Sequence, residues 1–188
     1  QTMFNVRNIQ LLLLLALSGS LLVLSACNKD DDDNEPENEQ EVITTVTLTF
    51  VDSNNNSSVF QASDPDGDGG NPPTIDDITL DANETYRLSV AFLDESDPGD
   101  VENITEEVEE ESNEHLVCFD ATGFAIGPDP EDTDDNGDPL GLVSNLATGN
   151  AGSGSLTVTL KHEPDKGAAN PCSTGETDAE VTFPVTIQ

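Results

Sequence analysis

Positive charge is what this chain has least of. Five Lys and Arg residues stand against 39 Asp and Glu in 188 residues, for a formal net charge of −34. All the acids follow residue 26, and there only Lys29, Arg87, Lys161 and Lys166 oppose them. Such a chain has nothing with which to neutralise phosphates, which excludes a nucleic-acid binder. Electrostatic docking on anionic lipid is excluded on the same ground. Trp is absent and Tyr occurs once, which removes the usual stacking platforms and aromatic anchors. No GxSxG, HExxH, P-loop or GxGxxG string occurs, so the common nucleophile, zinc-hydrolase and nucleotide signatures are missing. No carboxylate pair for glycoside hydrolysis can be singled out among so many acids. The expectation is a protein that is not an enzyme.

Long apolar runs are scarce too. The one strong run is Ile9–Leu24, shorter than the roughly 20 residues that span a bilayer. Arg7 precedes it and small residues follow it, the pattern of a secretory signal. It closes in Leu24-Ser25-Ala26-Cys27, which resembles a bacterial lipobox. Residues 1–26 are then a signal peptide, and Cys27 is the lipidated first residue of the mature chain. Several acyl chains on one terminus make a stable membrane anchor where a single chain does not. Residues 27–41 hold Asp30–Asp33, further acids and Pro36. That composition buries nothing and serves as a solvated tether.

From residue 42 the pattern changes. Val46, Leu48 and Phe50 alternate with threonines, and similar alternation marks 85–93, 156–160 and 181–187. Period two with β-branched residues is the signature of a half-buried strand. Weaker strands are expected at 57–62, 74–80, 115–121 and 140–147. Pro184 belongs on an edge or at a bulge, because it has no N–H to donate. About eight short strands separated by Gly, Pro, Asn and Asp predict an all-β fold. The expected form is an immunoglobulin-like antiparallel sandwich over residues 42–188. Residues 103–112 break the alternation: Asn103 followed by Glu106 suggests a capping box, and Ile104 and Val108 an apolar stripe. A short crossover helix is expected there.

Three features bear on chemistry. With Cys27 assigned to lipid, Cys118 and Cys172 remain as an even pair in an exported chain, which suggests a disulfide. Two acidic loops, Asp64-Pro65-Asp66-Gly67-Asp68-Gly69-Gly70-Asn71 and Asp132-Thr133-Asp134-Asp135-Asn136-Gly137-Asp138, have the alternate-carboxylate spacing that converges on Ca2+. Their twelfth positions are Ile75 and Val143, so neither is an EF-hand. Asp64, Asp66, Asp68 and Asn71 are the calcium candidates of the first loop. Asp132, Asp134, Asn136 and Asp138 are those of the second. Finally, Glu114-His115 opens one expected strand and His162-Glu163 closes another. If those strands lie antiparallel and adjacent, Glu114, His115, His162 and Glu163 share one sheet end and offer a site for Zn2+ or another transition metal.

The lipobox, the acidic tether, Glu41-Val42-Ile43-Thr44-Thr45-Val46, the Asp64–Asn71 loop, Ile104–Glu111 followed by Glu114-His115, Leu156–Pro164, Gly175–Asp178 and Phe183-Pro184-Val185 together resemble a family of small acidic lipoproteins of flavobacteria and other Bacteroidetes. An acidic patch after the lipid cysteine is similar to the surface-export signal of such lipoproteins. The resemblance implies an outer-membrane, lipid-anchored address facing the cell exterior. It implies no activity, so no functional residue is carried over from it. A periplasmic-binding fold, a label some members bear, needs alternating helices and parallel strands and a longer chain. The expected function is a calcium-stabilised binding or interaction module, with another surface protein as partner. The alternative is a lipoprotein that captures transition metal through His115 and His162 for an outer-membrane transporter.

Overall fold

A computed structural model describes residues 41–67, 70–123 and 125–188. The expected signal peptide over residues 1–26, the expected lipidation site Cys27, the expected tether as far as residue 40, and Asp68 lie outside the described residues. Alternation becomes strand wherever one face has apolar partners. β1 (Thr45–Val51) buries Val46, Leu48 and Phe50. The strands that follow are β2 (Ser57–Ser63), β3 (Thr74–Ile75), β4 (Ile78–Leu80) and β5 (Thr85–Leu93). After helix α1 (Ile104–Glu110) come β6 (His115–Thr122), β7 (Ala125–Pro130), β8 (Val143–Thr148), β9 (Gly152–His162) and β10 (Glu176–Ile187).

One sheet runs β3-β2-β1-β5-β8-β7 and the other β4-β10-β9-β6. Pairing is antiparallel except for the parallel contact of β4 with β10. The molecule is an all-β sandwich. Leu48, Phe50, Leu88 and Phe92 of the first sheet and Leu156, Leu160 and Phe183 of the second lie in one core cluster. Each such side chain contributes about 1.5–3 kcal/mol on burial.

Ten strands form among the described residues where about eight were expected. Segment 74–80 divides between the two sheets, with β3 on β2 and β4 on β10. The divide falls at Asp76, whose N–H donates to the Gln61 carbonyl and whose carboxylate accepts the Gln61 N–H. β7 was not among the expected strands, and Pro128 and Pro130 lie in it. It runs along the outside of the first sheet, the place where a strand tolerates proline. Pro184 lies on the stretch of β10 that β4 does not cover, since β4 pairs only with Val185–Ile187.

Helix α1 crosses from β5 in one sheet to β6 in the other. Ile104 and Val108 are its buried stripe. Asn103 does not cap it; its amide donates instead to Glu106 Oε1 at 2.8 Å. Anchorage comes from Thr105, whose hydroxyl accepts the Phe92 N–H at 2.8 Å and faces the Phe92 carbonyl at 3.2 Å. Cys118 on β6 and Cys172, in the 3-10 turn before β10, form a disulfide with Cα atoms 5.9 Å apart.

Candidate metal centre

β6 and β9 are antiparallel neighbours, and their register sets His115 directly opposite His162. Residues opposite one another in such a pair project to the same face. His115 is in phase with Val117, and His162 with Leu156, Val158 and Leu160, all buried, so both rings point inward. Their centroids are 4.8 Å apart and nearly parallel, at 24°. His115 is fully buried, and the His162 side chain is 9% exposed.

Two carboxylates reach this pair from elsewhere in the chain. Asp178 comes from β10, the other neighbour of β9. Strict alternation would point it outward with the exposed Glu180, Thr182 and Pro184. The β9–β10 register slips between Thr177 and Ala179, leaving Asp178 as the extra residue of a β-bulge. Bulges re-aim side chains in this way. The Asp178 side chain is 2% exposed, and its Oδ1 lies 3.9 Å from His162 Nδ1. Glu41, expected as the last residue of the solvated tether, is buried instead, because it packs against the second sheet's end: its side chain is 6% exposed, and its Oε1 lies 3.2 Å from His115 Nε2. The other ring nitrogen, His115 Nδ1, is 3.2 Å from the Glu111 carbonyl at the end of α1.

This assembly is short of positive charge. Glu41 Oε2 and Asp178 Oδ2 are buried with no hydrogen-bond partner, and His115 Nε2 makes no aligned hydrogen bond either. Uncompensated buried carboxylates are costly. Burial pushes the Asp178 carboxyl above its ordinary value, against the pull of the His162 and His115 rings. Burial is also the largest single influence on His115 and acts to lower it. The close approach of the Glu41 carboxylate, the Glu111 carbonyl and the Asp178 charge together outweigh it, so His115 lies above its ordinary value.

Three overlapping groups of ligand-type atoms meet here, each within 4.8 Å: His115–His162–Asp178, Glu41–Glu111–His115 and Glu114–His162–Glu163. The sequence pattern singles out His115, His162, Glu114 and Glu163, and the fold brings those four to one sheet end. It misses Asp178, because alternation reads that position as outward. It misses Glu41, because nothing local distinguishes one acid in an acidic run.

The acidic loops are arranged differently. In the first, Asp66 Oδ2 accepts the backbone and side-chain N–H groups of Asn71 at 2.9 and 2.7 Å, and Gly67 takes the turn at φ +65°. The Asp64 N–H donates to the Thr44 carbonyl. In the second, Asp132 accepts the Gly141 N–H. Asp134 Oδ1 accepts the N–H groups of Asn136 and Asp138, while Oδ2 pairs with the Lys166 ammonium at 2.9 Å. Lys166 also donates to the Ser112 carbonyl, and the Asn136 amide donates to Asn113 Oδ1. The second loop therefore already holds a cation, the ammonium of Lys166. It braces the turn between α1 and β6 from which Glu114 and His115 project. Among the described residues neither loop brings three ligand-type side chains together.

No protein-family model matches this chain, and no curated protein or solved structure matches it.

Proposed function

We propose that this protein is a lipid-anchored sandwich that binds one divalent transition metal, of the zinc class, at the β6–β9 sheet end. His115, His162 and Asp178 are the ligands, with Glu41 as the fourth donor. The observation that carries this reading is the pairing of two in-register buried imidazoles with two buried carboxylates that each leave an oxygen unpartnered. Two nitrogens with carboxylate oxygens suit Zn2+, Co2+, Ni2+ or Cu2+, whereas Ca2+ and Mg2+ prefer all-oxygen shells. Tetrahedral zinc sets its donors about 3.3 Å apart. Side-chain rotation closing the 4.8 Å group by an ångström or so would meet that requirement. Binding sets a dication beside two buried carboxylates that each leave an oxygen unpartnered.

The calcium reading draws less support. Asp134 is paired with Lys166, and Asp66 is taken up by Asn71 within its own turn. Anchorage through Cys27 and service to an outer-membrane transporter remain part of the proposal. They fit a site that accumulates metal at the cell exterior.

The test is calorimetric titration of the metal-stripped full chain with Zn2+. Binding at 1:1 with Kd of about 1 µM or tighter is expected. Either His115→Ala/His162→Ala or Asp178→Asn should weaken it at least about tenfold. Wild-type affinity in the double histidine variant would sink the reading and leave only diffuse attraction by surface acids.

A further inference from the structure

Given that reading of the buried site, a second question is how an ion reaches ligands that are nearly all hidden from water. We propose that Glu114 and Glu163 form an outer station that takes the metal first, and that His162 passes it inward to Asp178 and His115.

Three observations point this way. The ring of His162 has one nitrogen at each station. Nε2 lies 3.9 Å from Glu114 Oε2, on a side chain 57% exposed, while Nδ1 lies 3.9 Å from Asp178 Oδ1, which is almost fully buried. Glu114, His162 and Glu163 form one three-ligand group and His115, His162 and Asp178 another, so His162 belongs to both. The inner group also contains the buried, unpartnered Asp178 Oδ2, the group that makes inward transfer favourable.

The chain holds the outer pair together by backbone. The Glu163 N–H donates to the Glu114 carbonyl at 2.6 Å, and Glu163 sits at φ +47°, a left-handed conformation. For a side-chain-bearing residue that conformation is strained. At this turn the chain accepts the cost and sets a carboxylate beside the ring. Gly175, at φ +70°, packs so closely under the same turn that a Cβ there would lie 2.3 Å from the His162 carbonyl oxygen. The turn is thus held from both sides.

The transfer is a ligand exchange. A hydrated dication loses some water to Glu114, Glu163 and His162 Nε2. Its bonds to the outer carboxylates break as bonds to Asp178 and His115 form; the ion leaves His162 Nε2 and is recaptured on Nδ1 as water carries the ring proton from Nδ1 to Nε2. Because the final ligands do not include Glu114 or Glu163, removing those two changes rates more than equilibrium.

Stopped-flow binding of Co2+ to the metal-stripped full chain, followed by its visible absorption, tests this. In Glu114→Gln/Glu163→Gln, association and dissociation should both slow about tenfold, with Kd within about threefold of wild type. Asp97→Asn/Asp100→Asn removes the same charge from an exposed loop and should leave rates close to wild type. Equal rates in the two double variants would overturn the relay while leaving the buried site standing. A large loss of affinity with unchanged association would also overturn it, by making the two acids final ligands. No Co2+ or Zn2+ binding by wild type would remove the buried site itself, and the relay with it.

Discussion

Lys166 shows how a single residue can answer a question posed by many. It is one of four bases against 39 acids after residue 26, and it lies against Asp134, a carboxylate with a fully buried side chain. Burial alone would raise the Asp134 carboxyl. The Lys166 ammonium and the N–H groups of Asp138 and Asn136 outweigh it and hold the group below its ordinary value. A lowered carboxylate contributes stability that is complete above its unfolded value, about pH 4, and is lost as pH falls further through the folded value. Urea midpoints measured from pH 7 to pH 2 should therefore drop more steeply below about pH 4 in wild type than in Asp134→Asn. At pH 7, Lys166→Met leaves a buried carboxylate unpaired and should cost about 3 kcal/mol. A loss under about 0.5 kcal/mol, the level of an ordinary surface change, would show that the pair is solvated.

At the scale of elements, two features outside regular alternation shape the site. The bulge in β10 turns Asp178 inward, so one inserted residue brings an acid from the surface to the side of His162. Helix α1, only seven residues long, is held by Ile104, Val108 and the Thr105 clamp on Phe92 rather than by its own propensity, as expected for a helix too short to be stable alone. Removing two buried methyl groups in Val108→Ala should lower stability by about 2 kcal/mol. Glu109→Ala/Glu110→Ala, on the exposed face, should change it by no more than about 0.5 kcal/mol. Denaturant unfolding of the two variants checks both figures, and equal losses would mean that the helix is not docked through its apolar stripe.

Across the whole molecule, two long-range ties matter. The disulfide links β6, which carries His115, to the turn before β10, which carries Asp178, across a sequence separation of 54. Cys118→Ala/Cys172→Ala should lose about 3–4 kcal/mol, chiefly by freeing the unfolded chain. Glu41 is the second tie, since it fastens the start of the domain to His115. If it completes the metal's ligand shell, Zn2+ should slow amide exchange through residues 41–44, and Glu41→Ala should abolish that protection while retaining binding through His115, His162 and Asp178. Exchange at 41–44 indifferent to Zn2+ would exclude Glu41 from the shell.

Much of the sandwich was legible in the residues themselves. Val46, Leu48 and Phe50, or Leu156, Val158 and Leu160, declare an inner face because strand alternation is a local property with period two. Two histidines placed at expected strand ends could be named in advance for the same reason. What tertiary structure alone decided is which strands are neighbours, where the register slips and which acids lose their water. Asp178 and Glu41 are chemically ordinary among 39 acids, and only burial against His162 and His115 separates them from the rest. Lys166 likewise has no local mark, and its meaning is set by the carboxylate that the fold delivers to it. Desolvation depends on contacts between distant segments, and a one-dimensional pattern does not encode it.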